Sequence, residues 1–153
     1  MKKLALILIV LFSILLVLGC TTGGNNNPLG GLDPYQNDKV VVAFYNAVKT
    51  KDYASITPYC SEIYLEEYPP AAINSNLAFV NSKLGDLQSY TVVNSESQAI
   101  TNLDGTESTT TSLTINTTYA KGSAVEYITL TTRSGEEQLD WWAIDSKELP
   151  QTN

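Results

Sequence analysis

Histidine is absent from this chain of 153 residues. Its absence removes Ser-His-Asp and Cys-His nucleophile pairs and takes from any zinc site its commonest nitrogen ligand. A general base here has to be a carboxylate, a tyrosine or a lysine. Positive charge is also scarce. Nine Lys and Arg stand against sixteen Asp and Glu, a net of −7, and Arg133 is the only arginine. Such a chain has little with which to neutralise phosphates, so nucleic acid is not an expected partner. Cysteine is limited to Cys20 and Cys60. No disulfide framework follows, and the fold must rest on its core. No metal and no cofactor is expected.

The first twenty residues say where the protein belongs. Lys2 and Lys3 precede an apolar run from Leu4 to Leu18, broken only by Ser13, and Gly19-Cys20 follows at once. Positive, apolar, small, then a cut is the order of a secretory signal. The run is shorter than the roughly 20 apolar residues of a spanning helix. Ending in Val17-Leu18-Gly19-Cys20, it resembles a prokaryotic lipoprotein signal, in which the cysteine is lipidated and becomes the new N-terminus. An ordinary signal cut elsewhere and an uncleaved anchor are the rival readings. The lipoprotein reading implies a signal peptide over 1–19, lipidation at Cys20 and a cell-membrane, extracytoplasmic location. Losing Lys2 and Lys3 would take the charge to about −9.

Residues 20–37 read as a flexible tether rich in Gly, Asn and Pro, reaching roughly 20–25 Å as a random coil. A folded domain is expected over 38–149, with a tail at 150–153. Val41, Phe44, Tyr45 and Val48 make one helical stripe, with Asp38 or Asn37 as cap. Asp52 can cap a short second helix with Ile56, Tyr59, Cys60 and Ile63 inward, ended by Pro58. The stretch Glu62–Tyr68 is ambiguous, with room for a short strand. A further helix runs from Ala71 with Ile73, Leu77, Val80 and Leu84 on one face, and Gly85 suits a left-handed cap. The period then changes from 3.6 to 2. Strands are expected at Leu87–Ala99, Ser108–Ala120, Ala124–Arg133 and Gln138–Ser146, turning at Asp104-Gly105, Lys121-Gly122 and Ser134-Gly135. Helices followed by a four-stranded antiparallel meander argue an α+β fold, with the helices on one face of a curved sheet.

The segments Val41–Val48, Lys51-Asp52-Tyr53, Leu84–Tyr90 and Trp142-Ala143-Ile144, in that order, resemble the nuclear-transport-factor-2-like (SnoaL-like, cystatin-like) superfamily. The resemblance covers about Asp38 to Ser146. It implies a cone: a curved sheet wrapped on helices, often with a pocket at its open end. Enzymes, ligand binders and dimerisation modules share that fold, so it selects no function. No catalytic residue of the family carries over by motif, and catalytic residues stay unassigned.

Pairing the last two strands around Ser134-Gly135 puts Ile128 opposite Trp142 and Leu130 opposite Asp140. Glu126, Ile128, Asp140 and Trp142 would then share the concave face. Two readings of the carboxylates follow: an acid–base pair in an apolar cone, or solvated groups at the rim. Nine tyrosines stand against three phenylalanines. Tyr45, Tyr59 and Tyr90 are candidate pocket residues, suited to an amphipathic ligand or a glycan. Trp141, adjacent to Trp142, must face the other side. Asn116-Thr117-Thr118 is a glycosylation sequon, and the threonine runs read as outward strand positions. The leading expectation is a lipid-anchored domain that binds a small ligand or a surface protein without catalysis. The alternatives are a carboxylate- or tyrosine-based enzyme of the same fold, and a module that pairs as a homodimer through its outer sheet face.

Overall fold

The computed structural model describes residues 33–101 and 105–150. The signal, Cys20 and Asp104 of the first hairpin lie outside the described residues. Helices come first: α1 (Lys39–Thr50), α2 (Glu62–Glu67) and α3 (Pro70–Leu84). Four strands follow, β1 (Leu87–Thr101), β2 (Glu107–Tyr119), β3 (Gly122–Arg133) and β4 (Glu136–Asp145), paired antiparallel in the order β1-β2-β3-β4. The protein is α+β, an open meander with helices packed on one face.

Asp38 caps α1, its carboxylate accepting from the backbone N–H of Val40 and Val41 at 2.8 and 3.1 Å. Val41, Phe44, Tyr45 and Val48 are buried as the stripe predicts. So are Ile73, Leu77, Val80 and Leu84 of α3. They meet Leu113 and Ile115 of β2, Ile128 and Leu130 of β3 and Leu139 of β4 in one core. Ser134 and Gly135 both have positive φ, 54° and 81°, the backbone of a tight hairpin whose twist suits the strands.

Several expectations need correction. The second hairpin turns at Ala120 and Lys121, with Gly122 already in β3 and paired with Tyr119. Residues 33–37 are not free tether: Pro34–Asn37 is a 3-10 turn capped by Asp33. Its side chains bond to the sheet, with Ser95 donating to Asp33 at 2.8 Å and the Val92 N–H donating to the Gln36 amide oxygen at 2.8 Å. Asp52 makes no side-chain cap, and Tyr53–Tyr59 is a 3-10 turn. The ambiguous stretch is helix α2, capped by Ser61, whose hydroxyl accepts from the Tyr64 N–H. Its start point places Tyr64 inward and leaves Ile63 52 % exposed. Gly85 has φ 78° and ψ −163°; this is not the left-handed helical cap but a region open essentially to glycine alone. A Cβ there would stand 3.1 Å from the Ala120 Cβ.

Bulges interrupt β1 near Gln88 and Val93 and β4 at Asp140. An extra residue bends its strand and sharpens the local twist.

Candidate functional site

Glu126 is a charged residue type set wholly inside the described core, at 0 % exposure. The even alternation of β3 puts it there: Ala124, Ile128 and Leu130 share its face and are buried. Three side chains from three other elements turn their donors on it. Tyr119 of β2 donates its hydroxyl to Oε1 at 2.7 Å. Trp142 of β4 donates Nε1–H to Oε2 at 2.8 Å. Tyr45 of α1 donates to Oε2 at 3.3 Å. The Tyr45 ring stacks on Tyr90 of β1, with centroids 4.0 Å apart, while Phe44 sits edge-on to Tyr45 and tilts against Trp142. The cluster therefore joins α1 to all four strands.

Two opposed effects act on the carboxyl. Burial pushes it above the ordinary glutamate value; the hydrogen bonds from Trp142, Tyr119 and Tyr45 pull it back. The phenols respond in kind: burial, then the Glu126 charge, hold Tyr119 and Tyr45 well above the usual tyrosine range. At neutral pH they are fixed donors, unsuited to act as bases or nucleophiles.

Of the residues expected in a pocket, Tyr45, Tyr90, Glu126, Ile128 and Trp142 do lie together on the inner face. Ile128 stands opposite Trp142 and is buried. Tyr59 does not join them. It lies half-buried on the 3-10 turn, with the Lys39 ammonium 5.6 Å from its ring centroid. Asp140 does not join them either. The bulge makes Leu139, not Asp140, the partner of Leu130, and leaves Asp140 unpaired between Leu139 and Trp141. Its carboxylate accepts from Ser61 at 2.6 Å and Thr131 at 3.2 Å. It thereby fastens the start of α2 to the β3–β4 hairpin. The two carboxylates thus hold separate structural places and form no acid–base pair.

Asn116 is exposed on β2, opposite Thr91 and Val125. Its sequon neighbour Thr117 is buried and donates to the Ala124 carbonyl at 3.3 Å. The threonine runs are not uniformly outward, since adjacent strand residues alternate. Thr111, Thr117 and Thr131 are all buried. Cys60 is buried, its thiol pushed up to about 11 by burial and donating to the Ile56 carbonyl at 3.5 Å. Such a thiol is inert.

The residue that sequence reasoning left out of the site is Tyr119. Its signal was present: Leu113, Ile115, Thr117 and Tyr119 share one parity, so the hydroxyl had to point inward. Among the described residues no group of three or more His, Cys, Asp or Glu is placed to hold a metal, and no helix is long and apolar enough to cross a membrane.

No family model and no curated protein matches the chain. Among solved structures it is similar to Aln2 from a Streptomyces species, at 17 % identity. That alignment covers 75 % of this chain and 94 % of that one, with a TM-score of 0.40. A likeness at that level assigns no activity.

Proposed function

We propose that this protein is a membrane-tethered extracytoplasmic lipoprotein whose domain, of the nuclear-transport-factor-2-like kind, acts by binding and not by catalysis. The observation that carries the non-catalytic part is the state of Glu126. Both its oxygens are engaged by protein donors, and it is sealed from solvent. A catalytic carboxylate needs a lone pair within reach of a reacting proton; this one is walled in by Tyr45, Tyr119 and Trp142 with no solvent-exposed surface. The network reads as a polar peg that fixes one arrangement of helix and sheet, a role buried polar groups fill in some proteins.

The address rests on the Leu4–Cys20 pattern. The test is expression of the full chain with Cys20 or with Cys20→Ser in a bacterial host, with labelling by an alkyne fatty acid and detergent phase partition. Cys20 should take the label and partition with detergent. The Cys20→Ser chain should be unlabelled, and either released or left as precursor. Equal processing and partition of both would reject the anchor. Turnover of an acyl or glycosyl substrate that is lost in Glu126→Gln would reject the non-catalytic reading.

The binding surface is pointed to by a second observation. Trp141 is 44 % and Tyr127 40 % exposed, both on the sheet face away from the helices. Two large part-exposed aromatics as near neighbours on one sheet face support an interaction site there.

A further inference from the structure

We propose that the outer face of the sheet binds a neutral, flat glycan strand, with Tyr127 and Trp141 as its stacking platforms. This rests on the binding reading above and adds to it the surface and the chemical class of ligand.

The geometry is set by strand register. Trp141 on β4 lies opposite Thr129 of β3, two residues along from Tyr127 on the same strand. The two rings are diagonal neighbours on one face, roughly 7–8 Å apart at their backbones. Beside them β2 presents a row of hydroxyls and one amide. Ser112 is opposite Thr129, Thr114 is opposite Tyr127, and Asn116 is one pair further on. The charged groups stand at the margins. Glu96 is on the edge strand, opposite Ser112, Asp145 ends β4 opposite Val125, and Arg133 ends β3 opposite Glu136.

Each feature matches one part of a pyranose chain. The apolar C–H face of a sugar ring packs flat on an aromatic ring, and Tyr and Trp supply that surface at small entropic cost. The equatorial hydroxyls of the sugar exchange hydrogen bonds with serine, threonine and asparagine, directly or through water. The same features reject other occupants. The strands offer a polyanion one cation, Arg133 at the hairpin end and facing Glu136, on a chain of net charge −7. An anionic lipid surface is repelled for the same reason. A second copy would bring two acidic chains together. Stable association needs about 800 Å² per partner, and homodimer interfaces are more apolar than the rest of the surface. This face carries Tyr127 and Trp141 among hydroxyls, with the exposed Ile100 away from them near the end of β1, a composition more polar than a homodimer interface.

The test uses the full chain purified in detergent. It is screened on an array holding uncharged, sulfated and uronate glycans, then titrated with chitohexaose and cellohexaose by calorimetry. The expected result is retention on uncharged β-linked glycans and saturable binding of at least one of the two oligosaccharides. Trp141→Ala and Tyr127→Ala should each weaken it by at least about tenfold, which corresponds to about 1.4 kcal/mol. Thr114→Glu, which adds charge to the face, should weaken it comparably. Melting temperatures of the three variants report whether each is folded. Four results would overturn the proposal: no uncharged glycan retained, a preference for the charged ones, affinity unchanged in both aromatic variants, or a dimer in sedimentation that Trp141→Ala dissociates. The last would give the face to a second copy. None of the four touches the Cys20 experiment, so the ligand class can fail while the lipid anchor stands.

Discussion

The Tyr119 hydroxyl lies 2.7 Å from Glu126 Oε1, across the β2–β3 hairpin that Ala120 and Lys121 turn. With Trp142 and Tyr45 on the other oxygen, it gives both oxygens of a carboxyl group sealed from solvent a donor. Removing a donor from such a group costs more than an average hydrogen bond, because the acceptor stays buried and unpaired. Tyr119→Phe should therefore lower stability by about 1–3 kcal/mol, read from urea denaturation. Glu126→Ala should cost more than Glu126→Gln, since alanine leaves three donors unpaired and a cavity, whereas glutamine keeps one acceptor oxygen. A neutral Tyr119→Phe would mean that the bond is not formed in solution.

The inner face was legible because it follows from alternation alone. Val41, Phe44 and Tyr45 in the helix, Leu113 and Ile115 in β2, and Glu126, Ile128 and Leu130 in β3 stand where their periods put them. Asp140 was not legible, because one inserted residue in β4 inverts parity without a mark such as glycine or proline. Leu139 and Trp142, three apart, both end up inward, and a strict period of two cannot produce that. The fate of Glu62–Glu67 was hidden for a related reason. A six-residue helix depends on its cap, and Ser61 serves both that helix and Asp140, a tie made by tertiary contact.

Stability should fall as pH rises from about 4.5 toward neutrality. Glu137 is pushed up to about 7 by burial, then by its contact with the Asp38 carboxylate, with Thr132 opposing. Burial raises Glu126 as well. A group with a raised folded value keeps its proton in the native state while the unfolded chain has already lost it. Its contribution is full below the unfolded value and is lost as pH climbs through the folded one. The lowered values of Asp86, beside Lys51, and Glu148, beside Ser146, act in the other direction and below about pH 4.5. Melting temperature against pH should thus peak near about 4–5 and decline toward neutrality. Glu137→Gln should flatten the decline; a curve that rises across that window would contradict the assignment.

The segment ahead of α1 should contribute to folding. Asp33, Tyr35 and Gln36 reach Ser95, Thr111 and Val92, and Gln36 occupies a backbone N–H of the edge strand β1. A chain beginning at Asp38 loses these bonds, each worth about 1 kcal/mol. At roughly 4–8 °C per kcal/mol, the expected fall in melting temperature is on the order of 10 °C. A chain beginning at Asp33 should melt with the longer protein. Equal melting of both would show that the turn contributes little beyond its own order.

The two adjacent tryptophans should behave oppositely. Trp142 is packed on the core, tilted against Phe44 at 5.7 Å between centroids, and donates to Glu126. Trp142→Ala removes packing and a donor together; the ring is partly exposed, so the cost should fall near the low end of the range for a buried Trp, roughly 3 kcal/mol. Trp142→Phe should keep most of the packing and isolate the lost hydrogen bond, about 1–3 kcal/mol. Trp141, exposed on the other face, makes no such contact with the Glu126 cluster. Trp141→Ala should stay within about 0.5 kcal/mol of the parent, while removing a ring from the outer platform. Urea denaturation of the three variants at one pH settles the order. If Trp141→Ala were the more damaging, the register of β4 would be wrong by one residue, and the three-donor account of Glu126 would go with it.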